Sequence, residues 1–250
     1  MRNSISRIFT LTVRNIKEIV RDPLSLSFTI LFPLLLEVLF YLLFHNLTAQ
    51  FEMKYLAPGI VVFSQSFLTL FTGLLIALDR NSSFLTRLYV SKAKSYEFIL
   101  SYALAVLPLS IVQAIFFFLV GGIIDPSLFS LEMVYAILLS LVTSLFFIGM
   151  GILFGCICNE KSIGGISSII VCGQSVLSGM WFPIENLSSG MMTVMKCLPF
   201  RNGTILIQNV TIGINDTFND FVLPLFIILG YALVTIVLAI IIFKSKMKTK

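Results

Sequence analysis

Glu37 is the residue in this sequence with the most distinctive chemistry, because it is an ionisable group inside an otherwise apolar run, 24–44. A carboxyl at that depth costs several kcal/mol unless paired or neutralised, so it faces a helix interface or a wet cavity. Two roles stay open: a group facing a substrate or a proton, or a carboxyl hydrogen-bonded across helices. Little else in the chain is reactive. A single histidine, His45, leaves no basis for a histidine metal site or a Ser–His triad. Cys156-Ile157-Cys158 has no further Cys or His nearby, and G-x-x-x-x-G-K-[ST] does not occur. No catalytic residue and no metal site is therefore assigned. The expected class is transport, not enzymatic chemistry, and no cofactor is expected on this chain.

The elements that hold Glu37 must be membrane helices. The 250 residues are 58% hydrophobic and 12% charged, against about 25% charged in a soluble domain. Six stretches are long and apolar enough to cross a bilayer: about 24–44, 57–78, 98–120, 132–155, 163–180 and 221–243. Runs such as Phe116-Phe117-Phe118 lack the in/out alternation of a barrel strand, so the expected fold is an all-α integral membrane protein. Fourteen of the seventeen Lys and Arg fall in the N-terminal segment, the loop 79–97, the loop holding Lys161 and the tail. By the positive-inside tendency both termini are cytoplasmic. The net charge of +5 then reports topology, and no nucleic-acid partner is expected.

Residues 1–22 form a separate unit. Ile5, Ile8, Phe9, Val13, Ile16, Ile19 and Val20 recur at helical spacing, while Arg7, Arg14 and Arg21 repeat every seven residues on another face. That pattern predicts an amphipathic helix at the inner headgroup boundary, its arginines meeting anionic lipid. No continuous apolar core precedes a cleavage site, so no cleavable leader is expected. Asp22-Pro23 turns the chain into the permeation unit, 23–250.

The cytoplasmic loop 79–97 is longer than a passive connector needs. Phe84, Leu85, Leu88 and Tyr89 fall at i, i+1, i+4 and i+5 beside Arg80, Arg87, Lys92 and Lys94, predicting a short helix with one apolar face. Such a face docks in a protein groove or lies on the membrane. Small residues at Gly149, Gly151, Gly155, Gly164 and Gly165 suggest that the fourth and fifth spans pack closely on each other or on a second copy. Residues 181–200 are too apolar for a solvated loop, which suits a re-entrant or interfacial helical hairpin with Trp181 at headgroup depth. The remainder, around Asn202-Gly203 and 213–216, is expected to be a polar connection.

Taken in order, these pieces resemble the permease subunits of type-2 ABC exporters, the ABC-2 family. The resemblance rests on Arg21-Asp22-Pro23, Phe32-Pro33, Ser83-Phe84-Leu85-Thr86-Arg87-Leu88 with Ser91, and Gly164-Gly165. Leu177-Ser178-Gly179-Met180-Trp181-Phe182-Pro183 and Leu198-Pro199-Phe200 complete it. It implies six spans, an N-terminal elbow helix, and a re-entrant hairpin before the sixth span. It also implies pairing with a second permease copy and two ABC ATP-binding subunits, which use ATP and Mg, in a cell membrane such as a bacterial plasma membrane. Residues 82–90 would be the coupling helix, with Phe84, Leu85 and Leu88 as anchors, Tyr89 on the same face and Arg87 reaching an acidic rim. The implied substrate is a drug, antimicrobial peptide or lipid-linked molecule moving outward. Its path would run near Glu37, Gln65, Thr69, Gln174 and Ser178. The competing reading is an autonomous secondary transporter or channel in which Glu37 carries a coupling proton.

Overall fold

Pro23 and Gly179 mark where helices of this chain start and stop, and Pro33 lies within one of them. The computed structural model describes residues 4–81, 94–182, 187–213 and 216–248, and these residues are helical with short joints. Helix α1, Ser4–Val20, ends in a two-residue turn. Asp22 then caps α2, Pro23–Phe44, by accepting from the Ser25 amide at 3.2 Å, with Pro23 at the first helical position, where its missing N–H costs nothing. Pro33 removes the donor that would bond the Thr29 carbonyl. Gln113 of α4 (Ser95–Ile124) supplies one instead, its Nε2 donating to the Thr29 oxygen at 3.3 Å and to the Ser64 oxygen at 3.4 Å. The fully buried residues of α2 are Thr29, Pro33 and Glu37, one line at four-residue spacing facing inward.

Helix α3, Met53–Asn81, is the hub: α2, α4, α5 (Leu131–Ile157), α6 (Glu160–Leu177) and α8 (Pro199–Ile212) all pack on it. Its closest neighbour is α5, and the reason is glycine. A Cβ on Gly151 would lie 2.7 Å from the Thr69 carbonyl oxygen, and one on Gly155 would lie 2.9 Å from the Gly73 oxygen. Side chains on the two helices also hydrogen-bond across this contact. Gln65 Nε2 donates to the Ser140 oxygen at 2.8 Å, Thr143 Oγ1 to Gln65 Oε1 at 2.5 Å, and Thr69 Oγ1 to the Phe147 oxygen at 3.1 Å.

The expectation that the fourth and fifth spans pack on each other or on a second copy is corrected in its first part. Gly151 and Gly155 of α5 meet α3, and Gly149 meets Thr235 of α9 (Leu223–Lys248), whereas Gly164 and Gly165 of α6 have nothing of this chain within 4 Å. Helix α6 buries Ile163, Ser167, Ile170 and Gln174, the last bonded to Thr204 of α8, and ends where Gly179 takes a φ of 68°, open to a residue without Cβ.

Among the described residues, five helical segments are long and apolar enough to span a membrane: Pro23–Phe44, Met53–Arg80, Ser95–Ile124, Leu131–Ile157 and Thr217–Ser245. The expected span 163–180 coincides largely with α6, whose 18 residues carry Glu160, Lys161 and Gln174 and do not meet that test. After it come α7, Ser189–Cys197, and α8, joined at Leu198, with Asn202 Nδ2 donating to the Lys196 and Leu198 oxygens at 2.8 and 2.7 Å. The polar connection expected around Asn202-Gly203 is in fact the interior of α8. Its Gly203, Thr204, Leu206 and Ile207 are buried against neighbouring helices, so the helical region extends past 200 to Ile212. A loop at that place would leave buried amides unpaired, which helix formation avoids.

Candidate functional site

The loop expected to carry function leaves α3 and enters α4, and its two stems are the described part of it. The coupling residues Phe84, Leu85, Arg87, Leu88 and Tyr89 lie outside the described residues. The stems are longer than expected, because residues 79–81 complete α3 and 95–97 begin α4.

Each stem carries a buried acid, and each acid is bonded by an arginine of α1. On α3, Asp79 is 5% exposed. Arg14 donates to both of its oxygens at 2.5 Å, and Tyr102 of α4 adds its hydroxyl at 2.5 Å. On α4, Glu97 is fully buried. Arg7 donates from Nε to Oε2 at 3.0 Å and from a terminal nitrogen to Oε1 at 2.7 Å. Ser4 donates to the same carboxylate, and the Lys94 amide reaches its Oε2 at 3.2 Å, so Glu97 also caps α4. Such forked pairs fix direction as well as distance. Burial opposes charge on Arg14, but the Asp79 hydrogen bonds together with the charges of Asp79 and Glu18 outweigh it and hold the guanidinium above the ordinary arginine range. Burial, then the Asp79 charge, push the neighbouring Glu18 carboxyl up, while Arg14 pulls it back down.

Of the three arginines expected to meet lipid, Arg7 and Arg14 are thus engaged by protein, while Lys17 on α1 and Arg21 in the joint after it are exposed. Arg80 is turned inward too. It donates to the carbonyls of Gly155, Cys156 and Cys158 at 2.8, 2.8 and 3.0 Å, closing the carboxyl end of α5. Sequence reasoning passed over Asp79, Glu97 and Tyr102. The available signal was that the loop's two acids stand at its ends, opposite arginines two helical turns apart.

The five residues expected along a substrate path are all fully buried, and the structure does not gather them at one cavity. Gln65 and Thr69 bond α5, Gln174 Nε2 donates to Thr204 Oγ1 at 3.1 Å, and Ser178 Oγ accepts the Met180 amide at 3.3 Å. Glu37 stands apart, with Oε1 3.3 Å from where a Cβ on Gly121 would lie and both oxygens without a hydrogen-bond partner among the described residues. Unpaired buried polar atoms cost about 1–3 kcal/mol each. Glu37→Met is therefore expected to raise the melting temperature of the purified chain; a fall would mean that the carboxyl has a donor in the membrane.

An apolar groove of about 580 Å³ lies elsewhere, between α2 and α3. Phe28 and Phe32 stack at 5.5 Å beside it, each edge-on to Phe67 at 5.9 Å. At Phe71 and Leu74 it meets a charged cleft bordered by Arg14, Arg21, Asp22 and Asp79. Trp181 lies at its own hydrogen bond to Ser175 Oγ, 2.9 Å, with its ring 4.5 Å from that of Phe40 on α2.

Residues 6–212 match the family model described as ABC-2 type transporter. No curated protein matches the chain.

Proposed function

Because the chain belongs to the ABC-2 type transporter family, a family of membrane subunits, we propose that it is the permease of an ATP-driven exporter. The observation that carries this reading is the family match over most of the chain in a sequence without a phosphate-binding Gly-rich loop. Transport energy then comes from ATP-binding subunits in trans. Two such subunits hold ATP and Mg beneath a pair of permeases, and the coupling helix proposed at 82–90, with Phe84, Leu85, Leu88 and Tyr89 as its apolar face and Arg87 beside them, docks into them. The basic N-terminal segment, loop and tail put that end in the cytoplasm of a cell, such as a bacterium. In this reading α6 crosses the membrane as a sixth span, α1 is the elbow helix, and α7 and α8 form the hairpin set into the outer leaflet.

A hydrophobic or amphipathic substrate, such as a drug, an antimicrobial peptide or a lipid-linked molecule, is supported by the groove between α2 and α3. Its lining is apolar and aromatic, and its neighbour is charged. Proton coupling through Glu37 is the second reading, favoured by that carboxyl's unpaired oxygens.

Tagged purification from the native membrane in mild detergent, with mass spectrometry of what accompanies the chain, tests the proposal. A Walker-A protein in about equal amount, lost from Leu88→Asp, is the expected result. Recovery of this chain alone, without ATP-dependent activity, would overturn it and bring Glu37→Gln forward as the decisive transport variant.

A further inference from the structure

Arg7 and Arg14 are seven residues apart, two helical turns, so they lie on one face of α1 about 10 Å apart along its axis. They bond the two helix ends that flank residues 82–93, the stems: Arg14 the last turns of α3 through Asp79, Arg7 the first turn of α4 through Glu97. Both acids are buried, both arginine contacts are two-point, and Tyr102 of α4 reaches across to Asp79 to close the set. At its other end α1 runs into α2 through a joint of only Arg21 and Asp22. The joint is held by the Arg21 amide on the Lys17 oxygen at 3.2 Å and by the Asp22 cap.

The geometry points to α1 acting as a strut: it fixes the spacing of the two loop stems and passes a displacement of either stem to the other and onward to α2. Arg7 and Arg14 are its positioning residues. The helix it drives is among the least buried spans and forms one wall of the apolar groove. Only the identity of what pushes on the loop, an ATP-binding subunit, rests on the function proposed above. The strut itself stands on the ion pairs.

Hydrogen exchange on the purified full chain in nanodiscs, with no ATPase present, tests it. Arg7→Ala is expected to speed exchange at least tenfold at 98–102, next to its own partner Glu97, and also at 77–81 on the other stem, where Arg14 holds Asp79. Arg7→Lys, which keeps the charge but loses the fork, should fall between. Arg14→Asp should loosen both stems, and the swap Arg14→Asp with Asp79→Arg should restore protection at both. If Arg7→Ala loosens 98–102 and leaves 77–81 at the native rate, the stems are independent and the strut is refuted. Failure to capture an ATP-binding subunit would bear on the proposed function and leave this result standing.

Discussion

Arg14→Ala is expected to destabilise the chain by about 3 kcal/mol, the lower end for removing one partner of a buried ion pair. The cost lies in what remains. Asp79, 5% exposed, loses its two-point contact with a guanidinium while it keeps the Tyr102 hydroxyl bond, and a carboxylate so placed cannot turn to water. Asp79→Ala should cost less, since the Arg14 side chain is 27% exposed and can rehydrate or lean on Glu18. Removing both leaves neither charge stranded, so the double variant should recover about 1–3 kcal/mol relative to the sum of the singles. For a chain of this size, about 3 kcal/mol corresponds to a fall of roughly 6–12 °C in melting temperature. Equal melting of native and Arg14→Ala protein would show the pair to be screened by solvent.

Gly151→Ala should be as damaging for a steric reason. The added methyl would sit 2.7 Å from both the Thr69 carbonyl oxygen and the Thr72 Cβ, and 3.1 Å from the Thr69 Cα. Two of these atoms are backbone and cannot swing aside. Relief requires α3 and α5 to separate, which lengthens the Thr69–Phe147 and Gln65–Thr143 bonds. Overpacking of this kind costs about 3 kcal/mol, toward the upper end of its usual range. Gly165→Ala is the control: with nothing within 4 Å it should gain up to about 1 kcal/mol of helix propensity. Melting curves of the two variants separate the cases. A loss at Gly165 would place a second copy against that face.

That contrast shows what was legible in the sequence. Apolar length located the helices, because a spanning segment needs little more than unbroken hydropathy, and the five segments that meet the test lie where they were expected. Partners were harder. Gly151 and Gly165 are the same letter in similar runs, and only the path of α3 between α5 and α6 decides which one is crowded. The spacing of Arg7, Arg14 and Arg21 announced a face, but a basic face fits lipid and buried acids equally well. Asp79 and Glu97 looked like ordinary loop charges, since nothing local says that α3 and α4 extend far enough to bury them. Helix α8 was missed because Asn202, Gly203 and Thr204 are turn formers by propensity; burial among three helices overrides that preference.

The ion pairs of α1 also set a schedule for biogenesis. Arg14 waits 65 residues for Asp79, and Arg7 waits 90 for Glu97. At a translation rate of about 5–20 residues per second, α1 is left without these acids for roughly 3 to 18 s after it is made. During that interval the counter-charge within reach of Arg14 is Glu18, one turn along the same helix. Asp79 then arrives before Glu97, so the helix is fastened to the rest of the protein from its middle toward its start.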